Sequence, residues 1–472
     1  MSLVTPVEPV PLGELGRVHF AAIGGAGMSG IARIMLARGV PVSGCDSAAS
    51  PQLDELAQLG ARVCVGHSAA HLAGADTLVV SSAIRPGNAE LVAAREQGTR
   101  VLHRAAALAS LMIGRQGLAI AGTHGKTTTT SMITTVLRRC GADPSYVIGG
   151  ILAETGLGAA EGTGKAFVAE ADESDGSFLM LAPDAAVVTS VEADHLDNYA
   201  SLADIEEAFA AFAGRIRPGG LLVTDADDPG AGRLAARAAK LPIRLVRYGE
   251  SADADYRLTA ITPAGMVTEC ELAYAGEVIT LNVAVPGRHN ARNAAAAFAM
   301  AVELGLGPAE VAAGLAAYRG AMRRMEPKGE VQGVRVLDSY AHHPTELSAD
   351  LAAARDIAAG GRVIAIFQPH LFSRTRIFAR QFAQSLGAAD EVFVLDVYAA
   401  REDPEPGVTG ALISGAVPGG QAAFWPENTG LPEAIADLAK PGDVVLTMGA
   451  GDVTALGPRI VAALRARDGD LG

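Results

Sequence analysis

Gly122-Thr123-His124-Gly125-Lys126-Thr127-Thr128 lies between an apolar strand candidate at 118–121 and a Thr-rich helix start. That order lets backbone N–H groups and a helix N-terminus surround phosphate oxygens, with Lys126 as a point charge. The Thr127 hydroxyl can reach a Mg²⁺ bridging terminal phosphates. Two residues separate the glycines where the commonest P-loop has four. A bare turn with a solvated lysine has no need of strand, loop, Gly-Lys-Thr and helix in this order, so phosphate binding is the stronger reading.

Two acidic stretches follow later strand candidates. Glu170-Ala171-Asp172-Glu173-Ser174-Asp175 comes after 166–169, and Glu192-Ala193-Asp194-His195-Leu196-Asp197 comes after 185–189. Carboxylates at the C-terminal edge of a parallel sheet stand where ligands bind. Mg²⁺ prefers such oxygens and fills its remaining positions with water and substrate phosphates. A charged loop alone is usually only solvated, and a lone histidine usually packs. Beside a phosphate loop, the set points to metal and phosphate chemistry.

A second glycine turn, Gly25-Ala26-Gly27-Met28-Ser29-Gly30, follows an apolar run at 18–23, and Asp46 ends the next strand candidate. Glycines there let the backbone approach a pyrophosphate, and the acid can take a ribose hydroxyl. The pattern fits NAD, FAD or any nucleoside diphosphate on a Rossmann-like sheet, and a plain tight turn is the bland alternative.

The elements that hold these loops fall into three blocks. Strand candidates at 18–23, 40–45, 62–65 and 77–81 alternate with helical runs at 31–38 and 105–111. A second block places strands at 118–121, 166–169, 185–189 and 221–224, then antiparallel β over 256–285 and a helix over 290–304. A third places strands at 334–338, 362–367, 391–395 and 443–448. Alternating strands and helices imply parallel sheets with crossovers. At 472 residues, 49% of them apolar, several cores are expected. A net charge of -14 argues against nucleic acid or an anionic membrane as the main partner. Neither a long apolar run nor a basic leader appears, and Cys45, Cys64, Cys140 and Cys270 are scattered, so a reduced, cytoplasmic protein without membrane insertion is expected.

Taken together the motifs resemble the Mur ligases of bacterial cell-wall synthesis. The resemblance continues through Gly287-Arg288-His289-Asn290 with Asn293, Tyr340-Ala341-His342-His343-Pro344-Thr345-Glu346, Phe367-Gln368-Pro369-His370, Arg374-Thr375-Arg376 and Met448-Gly449-Ala450-Gly451-Asp452, in family order across nearly the whole chain. It implies three α/β domains: a Rossmann-like UDP-sugar domain over 1–111, a P-loop-type mononucleotide-binding domain over 112–321, and a Rossmann-like amino-acid domain over 322–472. The first glycine turn becomes a uridine-diphosphate site, with Gly24, Gly25, Ala26, Gly27 and Met28 at the pyrophosphate and Asp46, His67 and Ser81 around nucleotide or sugar. ATP phosphates and Mg²⁺ fall to Gly122 through Thr128, including Thr123, His124 and Gly125. Glu170 is implied as a Mg²⁺ ligand beside Thr127, and His195 as the ligand of a second Mg²⁺. His289, Asn290 and Asn293 are implied at adenine, and Arg324 at the nucleotide. Tyr340, His342, His343, Arg374 and Arg376 are implied to face the incoming amino acid and the sugar's carboxylate. Many members carry two acids and a glycine where this chain has Asp338-Ser339-Tyr340-Ala341, and an aromatic where it has Met325, which touches only the fine shape of the amino-acid pocket and nucleotide edge.

The activity so implied is ATP- and Mg²⁺-dependent joining of L-alanine to the carboxylate of UDP-N-acetylmuramate through an acyl phosphate. The C-terminal domain is expected to close over the site and exclude water. His343 reads equally as the base for the amine or as a hydrogen-bonded orienter. Two rivals remain: a relative that reattaches a recycled murein peptide to the same nucleotide sugar, and an NAD-binding dehydrogenase or regulator. The latter leaves the Gly122–Thr128 loop, Glu170 and His195 unexplained. Monomer and dimer are both open.

Overall fold

The computed structural model describes residues 4–196, 198–400 and 402–469. The chain packs as two compact units. One holds the chain up to Thr259 together with Leu272–Ile279 and Arg292–Tyr318. The other holds Ala260–Glu271, Thr280–Ala291 and the chain from Arg319 onward.

The first unit carries two sheets. Strands β1 (Val18–Ala21), β2 (Val42–Asp46), β3 (Arg62–Val65), β4 (Thr77–Val80) and β5 (Arg100–His103) form a parallel sheet of order β3-β2-β1-β4-β5. Strand order reverses between β1 and β4, which places the first glycine turn at a switch point, the usual ligand crevice of such sheets. The second sheet uses β6 (Gln116–Ala121), β7 (Ser145–Val147), β8 (Ala159–Ala160), β9 (Ala166–Glu170), β10 (Ala185–Val188), β11 (Leu221–Asp225) and β12 (Arg244–Gly249). Its order here is β12-β11-β10-β6-β9-β7-β8, parallel except for β7 with β8. β6 therefore lies at the centre, its strand buried on both faces from Gly117 onward. Strand β13 (Tyr256–Ala264) starts parallel to β12, and β14 (Val267–Tyr274) and β15 (Glu277–Val283) follow through turns in which Gly265, Ala275 and Gly276 take positive φ.

One continuous core runs under both sheets of this unit, from Phe20, Ile31 and Met35 through Leu108 and Leu111 to Phe167, Phe178, Phe209 and Phe212. The helix Ala26–Ala37 begins five residues before the expected 31, because Gly27 and Gly30 sit inside it rather than ending the turn. A Cβ on Gly30 would stand 2.9 Å from the Ala159 Cβ of β8. Glycine there serves close helix–strand packing as much as ligand approach.

In the second unit β16 (Glu326–Val331), β17 (Val334–Ser339), β18 (Val363–Phe367), β19 (Glu391–Val394), β20 (Ala422–Phe424) and β21 (Val444–Met448) form a sheet of order β16-β17-β21-β18-β19-β20. Only β16 is antiparallel. Its core gathers Val334, Val336, Ile364, Ile366, Leu431, Ile435, Val445 and Leu464. No helix among the described residues is long and apolar enough to cross a membrane.

Candidate active site

In the first unit the central strand β6 delivers the chain into the phosphate loop. Gly122 adopts φ 132° and Gly125 φ 78°, both left-handed-side values that favour glycine. A Cβ on Gly122 would fall 2.0 Å from the Thr189 Oγ1, and one on Gly125 2.6 Å from the Asn293 Oδ1. The loop is stapled to the segment after β10. Thr123 N–H donates to the Ser190 carbonyl at 3.0 Å, Glu192 N–H donates to Thr123 Oγ1 at 2.8 Å, and His124 N–H donates to Ser190 Oγ at 3.1 Å. Thr189 Oγ1 also donates to the His124 carbonyl.

Lys126 opens the helix Lys126–Arg139. Its ammonium donates to the carbonyls of Gly122 at 2.6 Å and Thr123 at 3.2 Å, and pairs with Glu173 Oε1 at 2.8 Å. Burial works against its charge, but Glu173, Asp172 and Glu170 outweigh that and hold its pKa above the ordinary lysine value. His195 Nε2 approaches the same Glu173 oxygen at 3.6 Å and Asp194 Oδ2 at 3.5 Å. Glu173 is buried, and its other oxygen has no hydrogen-bond partner among the described residues. Burial also works against the Asp172 carboxylate, yet Arg104, Lys126 and His195 hold its pKa well below the usual carboxylate range.

Thr127 Oγ1 donates to Glu170 Oε1 at 3.0 Å, and Glu170 Oε2 accepts from Gly149 N–H at 2.7 Å. A Cβ on Gly149 would stand 2.7 Å from that carboxylate, and one on Gly150 2.8 Å from the Thr127 methyl. Thr127, Glu170, Lys126, Glu173 and His195 therefore gather at one sheet edge. Hydroxyl and carboxylate oxygens of this kind suit a hard cation, and the inward Glu173 oxygen leaves acceptor capacity to spare. Thr128 follows in the buried first turn. Asn293 accepts from Thr129 Oγ1 at 3.2 Å, so the structure brings it against the loop. Asp197 lies outside the described residues.

The first glycine turn stands in the same unit. Asp46, expected near a ribose, accepts from Gly24 N–H at 3.0 Å and from Ser47 N–H at 2.8 Å. It thus holds the turn itself. Gly25 caps the helix that contains Ala26, Gly27 and Met28. Ser81 directly follows β4. His67 contacts Cys45 Sγ and Glu90 Oε2, both at 3.1 Å. Arg104, absent from the sequence expectations, pairs with Asp172 at 2.5 Å and would stand 3.2 Å from a Cβ on Gly27. It ties the glycine turn to the acidic loop.

In the second unit, the Arg323 and Arg324 guanidinium carbons lie 4.9 and 5.4 Å from the centroid of the Tyr340 ring. Tyr340 meets His342 edge-on at 5.3 Å, and His342 meets His370 at 6.1 Å. Glu346 accepts from His342 N–H at 3.0 Å and lies 3.7 Å from Arg324. His343 is buried and caps the helix Pro344–Ala358, its Nδ1 accepting from Thr345 N–H at 3.4 Å. That is a helix-capping contact, and it fixes the ring with Nε2 as the second nitrogen. His289 stands 3.7 Å from Asp350, and burial lowers its pKa to about 4. Asn290 donates to the Pro286 carbonyl at 2.7 Å. Arg374 is buried near the start of the helix Phe372–Leu386, whereas Arg376 points to solvent and pairs with Glu405 at 3.1 Å. Two residues apart on a helix, these arginines occupy opposite faces.

The chain matches three family models: "Mur ligase family, catalytic domain" over 17–116, "Mur ligase middle domain" over 120–301, and "Mur ligase, glutamate ligase domain" over 323–451. A protein of Thermobifida fusca named UDP-N-acetylmuramate--L-alanine ligase is 56% identical over 98% of this chain and 100% of its own length. The crystal structure of a UDP-N-acetylmuramate-alanine ligase from Thermotoga maritima superposes with a TM-score of 0.80 at 29% identity, covering 96% of this chain and 99% of that one. A murein peptide ligase from Psychrobacter arcticus gives 0.70 at 26% identity, covering 95% and 98%.

Proposed function

The chain belongs to the Mur ligase family, and on that premise we propose that it joins L-alanine to the lactyl carboxylate of UDP-N-acetylmuramate at the expense of ATP. The observation that carries this reading is the convergence of Lys126, Thr127, Glu170, Glu173 and His195 at one sheet edge, in a chain 56% identical to a protein of that name. Carboxylate and amine do not condense unaided, because hydroxide is a poor leaving group. ATP supplies the phosphoryl group that turns the carboxylate into an acyl phosphate, and Mg²⁺ supplies positive charge at the phosphates.

The residues divide that work. The N–H groups at the start of the helix Lys126–Arg139 would receive phosphate oxygens, and the Lys126 ammonium, held beside the loop by the Gly122 carbonyl and Glu173, would supply the charge for the γ-phosphoryl group. Thr127 and Glu170 would hold one Mg²⁺, and His195, with Glu173 behind it, would hold a second. Asn293 shapes the loop from beside Gly125, and His289, Asn290 and Arg324 take the rest of the nucleotide. The turn Gly24–Met28 receives the pyrophosphate of the UDP-sugar with Arg104 beside it, and His67 and Ser81 border that crevice. In the C-terminal stretch Tyr340, His342 and the buried Arg374 face the amino acid, with Arg374 the carboxylate clamp. His343, tied into its helix cap, acts as an orienter. The stretches 1–111, 112–321 and 322–472 thus serve UDP-sugar, ATP and amino acid, in a cytoplasmic protein.

Phosphate release from ATP with Mg²⁺ and UDP-N-acetylmuramate tests the reading. Release that needs L-alanine supports it. Release that needs the L-alanyl tripeptide instead assigns the murein peptide reaction, and no release under any of these conditions rejects both.

A further inference from the structure

A largely buried cluster away from the phosphate loop shares only His67, at the border of the UDP-sugar crevice, with the reaction just described. Glu90, fully buried in the helix Ala89–Gln97, receives the Cys45 thiol at 2.8 and 2.9 Å on its two oxygens. His67 Nδ1 lies 3.1 Å from both the Cys45 sulfur and Glu90 Oε2. His19 is 1% exposed, and its Nε2, 3.9 Å from Glu90 Oε1, has no hydrogen-bond partner among the described residues. Its Nδ1 sits 2.9 Å from Ser43 Oγ, and with that nitrogen donating, the Nε2 lone pair points at the carboxylate. The buried Nε2 thus goes without a hydrogen bond, at a cost in desolvation energy, beside a carboxylate that already gathers Cys45 and two other histidines.

We infer that His19, Cys45, His67 and Glu90 form a binding site for a divalent cation of the Zn²⁺ class. Nitrogen, sulfur and oxygen donors of these four types are the Zn²⁺ ligand set. Ligands about 2.0–2.3 Å from a tetrahedral ion stand roughly 3.3–3.6 Å apart. The separations here, from 2.8 Å between sulfur and Glu90 to 3.9 Å between Glu90 and His19, bracket that range, and the His19, Cys45 and Glu90 donor atoms all fall within 4.8 Å of one another. Outer contacts are in place as well. Ser43 fixes the His19 ring, His71 Nδ1 stands 2.9 Å from Glu90 Oε1, and Ser68 N–H donates to that oxygen at 3.2 Å. His67 and His71 are partly exposed, which gives the ion a route from solvent. Binding forms a metal–sulfur bond and releases the Cys45 proton to water. The site lies next to Asp46, the residue that holds Gly24 N–H, so an ion there would stiffen the crevice proposed for the UDP-sugar.

The test uses the full-length reduced chain, stripped with a chelator and titrated with Co²⁺. Stoichiometric uptake with a thiolate-to-cobalt charge-transfer band in the near ultraviolet is expected, and C45S should lose that band. X-ray absorption on the unmodified chain loaded with Zn²⁺ needs no variant to fold, and should show one sulfur at about 2.3 Å among lighter ligands at about 2.0–2.1 Å. A zinc shell without sulfur overturns the inference. So does cobalt uptake without a thiolate band, which would place the ion at the carboxylates near Lys126. A band that survives C45S would assign the thiolate to Cys64, Cys140 or Cys270 and overturn it equally.

Discussion

Replacing Lys126 by methionine keeps most of the unbranched side chain and removes its charge. The ammonium stands 2.8 Å from Glu173 Oε1, with the two side chains 15% and 3% exposed, so solvent does little to screen the pair. Among the described residues one Glu173 oxygen already has no hydrogen-bond partner, and in K126M the carboxylate would stay buried without the ammonium that neutralises it. Stranding one member of a buried ion pair costs about 3–5 kcal/mol. At about 2 °C per kcal/mol for a unit of this size, Tm should fall by roughly 6–10 °C. Adding E173Q removes the stranded charge and should recover most of that loss. Phosphate release should stay at least ~100-fold down in both variants, because the charge that meets the γ-phosphoryl group is gone in each. Differential scanning calorimetry beside the phosphate assay reads both quantities. A K126M chain that melts with the unmodified protein would refute the reasoning. So would a double variant as unstable as the single, since the loss would then come from packing and not from an unpaired charge.

Other perturbations reach different parts of the account. In G122A a side chain is forced onto φ 132° and 2.0 Å from Thr189 Oγ1, so the loop must shift; phosphate release should drop ~100-fold or more while circular dichroism stays unchanged. Burial pushes the Asp350 carboxyl up to about 7, so between about pH 4 and 7 the folded chain keeps a proton that the unfolded chain releases, and stability falls as pH rises through that window. D350N removes that penalty, and urea denaturation should show it gaining on the unmodified chain by on the order of 3 kcal/mol from pH 4 to pH 8; parallel curves would reject the shift. R374A should raise KM for L-alanine at least ~10-fold, and R376A, which loses only an exposed pair with Glu405, should leave KM and Tm nearly unchanged. Glycine differs from alanine by one methyl group, worth roughly 1–3 kcal/mol, so its kcat/KM should be lower by about 10–200-fold.

Much of the scaffold could be read from hydrophobic runs. Strand 62–65 matches β3 residue for residue, and the strands at 118–121, 166–169 and 391–395 differ from β6, β9 and β19 by one or two residues at their ends. What stayed hidden had physical causes. β16 reads Glu-Pro-Lys-Gly-Glu-Val, and proline and glycine mask an edge strand that tolerates both. β20 spans three residues, too few for a period to show. The helix at Ala26 began early because glycines that look like breakers are there for contact with Ala159 and Arg104.

The site was legible as loops but not as pairings. The acidic stretch after β9 was visible, yet which carboxylate meets Lys126 depends on the turn that follows Glu170, and only the fold singles out Glu173. Gly149-Gly150 carries no motif, although a glycine pair after a short strand was a signal that a backbone passes close to something, here Glu170. Arg104 acts across 68 residues of sequence and gives no local sign. Asp46 was recognisable as the acid of a nucleotide fingerprint, whereas the hydrogen bond its carboxylate accepts from Gly24 N–H is visible only in the fold. That the first two sheets share one core is likewise a property of side chains far apart in sequence.

The central claim is that the sugar's carboxylate is activated by phosphorylation at the Lys126 loop before the amine attacks. UDP-N-acetylmuramate labelled with ¹⁸O in its lactyl carboxylate, turned over with ATP, Mg²⁺ and L-alanine, tests it directly. The account predicts one ¹⁸O in each phosphate released, read by mass spectrometry. Phosphate released without label, at the rate of L-alanine incorporation, would contradict it.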